Sequence, residues 1–239
     1  MFKRASKNQT KLKIALTGPS GSGKTWTALS IAAGMCDLKK GEVPCLVDTE
    51  NSSANLYANQ FQFDSVNMNS PYETEKFITV IEAAEKAGYP VLIIDSLSAQ
   101  WAEMLNQKAR MDSRNPARSF HNWAELTPKH EALKAKIVLA NIHIIATMRS
   151  KTEYVMEQEN GKVKGITRVG LAPIQRDGLE YEFSTVLDLS PNHSAVATKD
   201  RTGLFSSTNP FIPNRETGIQ FIEWLNQSPT QTIQEVKAC

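Results

Sequence analysis

Eight consecutive residues near the start of the chain follow the phosphate-loop pattern G-x-x-x-x-G-K-[ST]. They are Gly18, Pro19, Ser20, Gly21, Ser22, Gly23, Lys24 and Thr25. In this motif the glycines let backbone N–H groups wrap phosphates, the lysine contacts the β- and γ-phosphates, and the Ser/Thr hydroxyl binds Mg²⁺. The sequence therefore predicts that residues 18–26, ending with Trp26, bind ATP and that Thr25 is a ligand of Mg²⁺. A glycine-rich turn without a ligand is the alternative.

A second candidate metal ligand ends an apolar run later in the chain. Residues 91–94 are all aliphatic, as expected of a central parallel strand, and Asp95 follows them. P-loop ATPases place the acid that holds Mg²⁺ at such a strand end, here about 70 residues after Lys24. We therefore expect Asp95 to share the metal with Thr25, although an aspartate in this place could instead cap the next helix.

The candidate general base is Glu50, which follows the apolar stretch 43–49. This stretch predicts a second strand, and ligands of open α/β sheets bind at the carboxyl ends of the strands. A carboxylate there can polarise the water that attacks the γ-phosphate. Asp48, two residues earlier, faces the same side of the strand but lies deeper. A solvated loop acid is the alternative interpretation of Glu50.

The elements that must position these residues alternate between strands and helices. Strands are predicted at 12–17, 43–49, 61–68, 91–96, 142–148, 180–189 and 194–198. Helices are predicted at 26–35, 54–60, 71–87 and 216–224. The alternation predicts one α/β domain with a mainly parallel central sheet flanked by helices, and an antiparallel extension near the C-terminus.

Three parts of the chain are less regular. Residues 99–120 are polar and basic, so we expect them to be partly helical and partly mobile. Residues 123–140 have a helical pattern, but Pro128 makes the first turns doubtful. The pair Asn160-Gly161 is a hairpin signal and predicts that 154–158 and 162–169 form its two strands.

Composition and charge set wider limits. The 239 residues carry a net charge of +2, so any nucleic-acid surface must be local. No apolar run approaches the ~20 residues of a membrane span, and the three cysteines suit a reducing compartment. We expect a cytoplasmic protein that does not enter a membrane. The predicted organisation is a tail at 1–11, one domain at 12–225 and a flexible tail at 226–239.

Two basic segments are candidate contacts for single-stranded DNA. In the first, Arg110, Arg114 and Arg118 are spaced four apart on a possible helical face. In the second, Lys162, Lys164 and Arg168 flank the predicted hairpin turn. Such clusters neutralise phosphates without reading sequence, and nearby aromatic rings can stack on bases. These rings are Trp101, Phe120, Trp123 and Tyr154. Solvated charges and core aromatics are the alternative.

Four segments occur in the order found in RecA-type recombinases: 47–50 (VDTE), 93–96 (IIDS), 147–149 (TMR) and 199–201 (KDR). The run 169–183 (VGLAPIQRDGLEYEF) more specifically resembles phage-encoded RecA-like ATPases of single-strand annealing and recombination. The resemblance covers about residues 2–225. It implies a RecA-like P-loop NTPase core and a Mg²⁺-dependent ATPase that binds single-stranded DNA in the cytoplasm of a bacterial host.

The resemblance also implies roles for particular residues. Glu50 matches the catalytic glutamate, and Thr147 or Arg149 falls where a polar side chain senses the γ-phosphate. RecA itself has a glutamine at that strand end, and this chain has none there. Lys199 and Arg201 match paired cations that reach the nucleotide of a neighbouring subunit, and they alternate on one face without a local acidic partner. Segments 97–120 and 150–178 fall where two DNA-binding loops lie.

The expected partners are single-stranded DNA and further copies of the chain in a ring or filament. The N-terminal run 2–5 (FKRA) resembles the F-x-x-A motif by which RecA relatives hold a neighbour, by adding to its sheet edge. A phage single-strand-binding protein is a further expected partner. Two other functions stay open: a DNA-directed motor or loader in replication or packaging, and a nucleotide-gated DNA-binding scaffold with incidental hydrolysis.

Overall fold

The computed structural model describes residues 6–159, 162–205 and 207–227, with the backbone alone described from 152 to 172. Its strands are β1 Lys13–Gly18, β2 Cys45–Asp48, β3 Asp64–Asn67, β4 Val91–Asp95, β5 His143–Glu159, β6 Lys162–Pro173, β7 Thr185–Leu189 and β8 Ala195–Asp200. Its α-helices are α1 Lys24–Met35, α2 Thr74–Ala87, α3 Ser98–Arg114, α4 Ser119–Leu139 and α5 Arg215–Asn226.

Seven strands lie side by side in the order β3-β2-β4-β5-β1-β7-β8. The pairs from β3 to β7 are parallel, and β8 runs antiparallel to β7. Beyond the sheet, the second half of β5 pairs with β6 as an antiparallel arm, from Ser150 opposite Pro173 to Glu159 opposite Lys162. The predicted α/β class, the mainly parallel sheet and the antiparallel C-terminal extension are confirmed.

Alternation along the strands divides the core between the two faces of the sheet. In β1, Ile14 and Leu16 join a cluster that includes Leu29 of α1 and Phe221 of α5. Ala15, between them, faces the other cluster, which contains apolar residues of α2 and α4. Helices therefore cover both faces of the sheet.

Helices α1 and α5 cross at two glycines. A Cβ on Gly34 would lie 2.0 Å from the carbonyl oxygen of Arg215, and one on Gly218 would lie 2.0 Å from that of Ile31. Both obstacles are backbone atoms, which cannot rotate away as a side chain would. The close approach holds α1, and hence the loop that precedes it, against the rest of the domain.

Several sequence expectations about single elements are wrong. Residues 54–60 hold only a short 3₁₀ helix, Ser53–Tyr57. For 99–120 the helical part of the prediction is confirmed, since α3 runs to Arg114 and a 3₁₀ helix follows at Pro116–Arg118. Helix α4 passes through Pro128. Both Pro128 and Ala124, whose carbonyl oxygen loses its helical partner because proline has no N–H, are exposed residues. The strand at 142–148 and the first hairpin strand are one strand, β5, because no Gly or Pro interrupts them.

Some expectations lie outside the described residues. These are the F-x-x-A-like run at 2–5, the turn pair Asn160-Gly161 and the tail from 228 onward. Among the helices that are described, none is both long and apolar enough to cross a membrane.

Candidate functional site

The phosphate loop leaves β1 and enters α1 at the carboxyl edge of the sheet. Gly21 and Gly23 have φ of 79° and 82°, a region that favours glycine, and Gly23 forms the N-cap of α1. Ser22 is fully buried and its Oγ donates to the Pro19 carbonyl oxygen at 2.9 Å. The loop is thus held by its own hydrogen bonds, at a helix N-terminus that favours anions.

Lys24 lies folded over the loop. Its Nζ donates to the carbonyl oxygens of Gly18 at 3.0 Å and Pro19 at 2.8 Å. Burial lowers the pKa of Lys24, and the carboxylates of Asp95 and Glu50 act in the opposite direction. The ammonium group therefore stands among acids at the same edge, where a phosphate can replace the two carbonyl partners.

The predicted metal ligands meet directly. Thr25 Oγ1 donates to Asp95 Oδ2 at 2.6 Å, and Thr147 Oγ1 donates to Asp95 Oδ1 at 2.5 Å. Asp95 is 2% exposed, and burial raises its pKa although both threonine hydrogen bonds lower it. A hydroxyl and a carboxylate beside a phosphate loop are oxygen ligands of the kind that Mg²⁺ prefers, so the residues fit this ion.

Glu50 and Arg149, predicted separately as base and sensor, form an ion pair. Arg149 donates to Glu50 Oε1 from Nε at 3.0 Å and from Nη2 at 2.8 Å. Asp48 fixes the turn that carries Glu50, because its carboxylate accepts from the backbone N–H groups of Glu50 and Ala54. Asp48 thus positions the glutamate and does not itself line the cavity described next.

One cavity of about 370 Å³ brings the predicted residues together. It is lined by Ser20, Gly21, Gly23, Lys24, Thr25, Glu50, Tyr57, Asp95, Arg149, Ser150 and Ile174. Residues from the loop, from the turn after β2 and from β4 and β5 thus share one space at the carboxyl edge of the sheet. Thr147 does not line the cavity, because it is fully buried and its hydroxyl donates to Asp95.

Two residues near the loop were missed by sequence reasoning. Tyr57 lines the cavity, and Trp26 meets its ring edge-on at 5.6 Å, so Trp26 supports an aromatic wall instead of lining the cavity itself. His193, in the turn between β7 and β8, has φ of 66° and packs against the loop; a Cβ on Gly23 would lie 3.0 Å from its Nδ1. For Tyr57, the sequence offers one signal: two aromatic residues, Tyr57 and Phe61, follow Glu50 within a short distance.

Lys199 and Arg201 lie at and just beyond the end of β8, away from the phosphate cavity. Lys199 Nζ donates to the carbonyl oxygens of Tyr181 at 2.6 Å and Glu180 at 3.2 Å, and Arg201 Nη2 reaches the Tyr181 oxygen at 3.4 Å. Both do face one side, as expected. Their hydrogen-bond partners among the described residues are not acids but backbone oxygens, so the two cations hold the 3₁₀ helix Leu179–Glu182, a role that the sequence did not suggest.

The arginines of the first basic segment do not share one helical face. Arg110 and Arg114 belong to α3, but α3 ends at Arg114 and Arg118 belongs to the 3₁₀ helix Pro116–Arg118. A proline disfavours helical geometry in the residue before it, so Asn115 breaks the helix. Arg110 is also paired with Glu103 at 2.7 Å.

Two tryptophans form a half-buried stack between α3 and α4. The rings of Trp101 and Trp123 are 5.9 Å apart and nearly parallel. Cations stand over Trp123, with Lys108 Nζ at 5.5 Å and the Arg176 guanidinium at 5.8 Å from the ring centre. Phe120 is 87% exposed at the start of α4. Lys162, Lys164 and Arg168 lie on β6, where the backbone alone is described.

The chain was compared with known proteins. It is similar to a solved structure, a KaiC-like protein from the hyperthermophilic archaeon Pyrococcus horikoshii, with 18% identity, 82% of each chain covered and a TM-score of 0.49. No curated protein matches the sequence significantly. The family model described as an AAA domain (AAA_24) matches residues 10–212. This span contains the phosphate loop and every residue of the cavity, and the chain therefore belongs to the AAA domain family and is a P-loop ATPase of the AAA type.

Proposed function

We propose that this ATPase binds single-stranded DNA and supports phage homologous recombination or strand annealing. The observation that carries the proposal is the Trp101–Trp123 stack, with two cations over Trp123 and the exposed Phe120 close by in sequence. Aromatic faces accept any base, and cations follow the phosphate backbone. A surface of this kind suits a single strand whose sequence is not read.

The DNA surface is connected to the nucleotide cavity by short paths through the chain. Helix α3 begins three residues after Asp95, and the β5–β6 arm begins beside Arg149. Ile174, at the end of the arm, also lines the cavity. A strand that binds α3 and the arm would therefore act on the ends of the elements that hold the metal ligand and Arg149.

In the proposed reaction, Glu50 accepts a hydrogen bond from the water that attacks the γ-phosphate, and Lys24 contacts the β- and γ-phosphates. Held by Thr25 and Asp95, Mg²⁺ would neutralise charge on the phosphate oxygens. Of the two candidate sensors, we assign Arg149, because it lines the cavity and Thr147 does not. Thr147 instead orients the Asp95 carboxylate.

We propose that the protein acts as a homo-oligomer. Lys199 and Arg201 would leave the Tyr181 carbonyl oxygen and reach the nucleotide of the next subunit. The run 2–5 of one copy would add to β3 of another, since β3 is an edge strand whose four residues are all exposed. A groove of about 320 Å³ beside β3, which includes Val66, Val80 and Leu92, would receive Phe2.

Equilibrium binding of a fluorescent oligo(dT) strand tests the DNA function. We expect binding that weakens linearly on a logarithmic salt scale, and that is stronger for the single strand than for a duplex of equal length. A non-hydrolysable ATP analogue should change this affinity in the wild type but not in Lys24→Ala. Absence of binding at low salt, or an equal preference for duplex, would contradict the proposal.

A further inference from the structure

The ion pair between Glu50 and Arg149 occupies the cavity in which the nucleotide is proposed to bind. Both guanidinium contacts converge on Oε1 of Glu50. The Arg149 side chain is 58% exposed and that of Glu50 is 30% exposed, so the arginine is the more loosely surrounded member of the pair. The carboxylate oxygen that accepts from Arg149 is not free to accept a hydrogen bond from water.

The backbone of Arg149, in contrast, is fixed. Its N–H donates to Ser98 Oγ at 3.0 Å, and its carbonyl oxygen accepts from the Ile174 N–H at 2.6 Å. In the sheet it lies opposite Gly18, the first residue of the phosphate loop. A fixed backbone with an exposed, long side chain allows the guanidinium to change partner without any movement of β5.

The charges in the cavity are balanced before a nucleotide enters. Lys24 and Arg149 face Glu50 and Asp95, two cations against two carboxylates. A triphosphate adds several negative charges, and guanidinium groups bind phosphate oxygens in the same bidentate manner as carboxylates. A terminal phosphate near Lys24 is therefore a competitor for the cation that Glu50 holds.

We infer that Glu50 and the terminal phosphate of a bound nucleoside triphosphate compete for Arg149. Arg149 then distinguishes triphosphate from diphosphate, and its transfer to the phosphate releases Oε1 of Glu50 for the attacking water. With a diphosphate the ion pair stays closed. The inference rests on the proposed function only in taking this cavity as the nucleotide site; it does not require DNA or a second subunit.

Calorimetric titration of a four-variant cycle tests the competition. Wild type, Glu50→Gln, Arg149→Gln and the double variant are titrated with the β,γ-imido analogue of ATP and with ADP, both with Mg²⁺. Because partly exposed ion pairs are weak, we expect Glu50→Gln to bind the analogue about two- to fivefold more tightly than wild type does, with ADP affinity unchanged. Arg149→Gln should weaken the analogue alone.

The decisive comparison is the effect of Glu50→Gln in the Arg149→Gln background, where we expect no tightening. Equal tightening there would show that removal of any negative charge suffices, and would overturn the inference. Equal tightening for ADP, or no tightening at all, would overturn it too. Arg149→Lys, which retains the charge, should restore part of the analogue affinity, and thermal melts of each variant report folding.

This test separates the inference from the proposed function. If the wild type binds neither nucleotide, both fail. If the cycle shows the expected coupling but the protein does not bind oligo(dT), the competition stands and only the DNA function fails.

Discussion

The phosphate-loop edge and the α3–α4 surface differ in how their functional side chains are held. At the edge, Lys24, Thr25 and Asp95 are tied to one another or to the loop within the domain, and Asp95 is almost fully buried. On the surface formed by α3 and α4, Phe120 is exposed, the Trp101–Trp123 stack is half-buried, and two cations lie over Trp123. Fixed oxygens and nitrogens suit a small anion of defined shape. Aromatic rings with cations beside them suit a long, flexible polymer.

The largest expected effect is the loss of ATP turnover when the candidate general base at the phosphate-loop edge is replaced. Glu50→Gln should reduce ATP turnover by about 10²–10⁴-fold, the usual contribution of a general base, and should not weaken ATP binding. Steady-state phosphate release and nucleotide titration measure the two quantities. Glu223→Gln, an exposed glutamate on α5, is the matched control. Turnover at the wild-type rate would exclude Glu50 as the base.

The next largest effect is expected for single-strand DNA binding, when the cations of the β5–β6 arm are replaced. The triple change of Lys162, Lys164 and Arg168 to Gln removes three candidate phosphate contacts. At about 0.7 salt-slope units per contact, affinity for a single strand should fall about 100-fold at 0.1 M salt and the slope should drop by about 2. Fluorescence anisotropy over a salt series measures both. The same change at Lys39, Lys40 and Lys86 is the control; an unchanged slope in the arm variant would remove the arm from the DNA surface.

Nucleotide affinity depends on the lysine of the loop. Lys24→Ala removes one charge-assisted contact to phosphate and should weaken ATP binding by about 10- to 150-fold, as expected for hydrogen bonds to charged groups. Calorimetry measures the loss, and Lys39→Ala, an exposed lysine in a short 3₁₀ helix, provides the comparison. Wild-type affinity in Lys24→Ala would contradict the assignment of the loop.

Stacking on the surface should be separable from its charge. Phe120→Ala should weaken single-strand binding by about fivefold or more with an unchanged salt slope, because stacking releases no counterions. The exposed ring contributes little to packing, so the melting temperature should not move. Leu139→Ala, which also removes an exposed apolar side chain, is matched to it. If both variants bind DNA equally well, Phe120 has no stacking role.

The smallest effect tests whether a second copy of the chain supplies Lys199 and Arg201 to the nucleotide cavity. Mixtures of Glu50→Gln and Arg201→Ala subunits should recover about one quarter of wild-type turnover, since one interface in four then pairs an intact Glu50 with an intact Arg201. Phosphate release across mixing ratios measures the recovery, in mixtures shown by light scattering to co-assemble. No recovery at any ratio would leave Lys199 and Arg201 as clamps of the 3₁₀ helix Leu179–Glu182 alone.

The same contrast explains which features the sequence could predict. The phosphate loop needs eight consecutive residues, and Asp95 needs only an apolar strand that ends in an acid. Both are local patterns, and the structure brings Thr25 and Asp95 to hydrogen-bonding distance. The Glu50–Arg149 pair joins the ends of β2 and β5, which are not neighbours in the sheet. Spacing along a chain contains no information about such a contact.

Errors arose where one residue changed the local geometry. Pro116 ends α3 early, so the spacing of the three arginines no longer describes one face. Pro128 was expected to disturb α4. It lies on the exposed side of the helix, where water can replace the hydrogen bond that a proline cannot donate. The partners of Lys199 were backbone oxygens of a 3₁₀ helix, which no pattern of side chains could reveal.

The central claim is that DNA bound at the α3–α4 surface changes ATP hydrolysis at the phosphate-loop edge. ATP turnover by the wild type, measured with and without DNA, tests this claim most directly. We predict a low rate for the protein alone, a clear rise with a single strand and little change with a duplex of the same length. A rate that is identical under all three conditions would contradict the account, because the edge would then act without the α3–α4 surface.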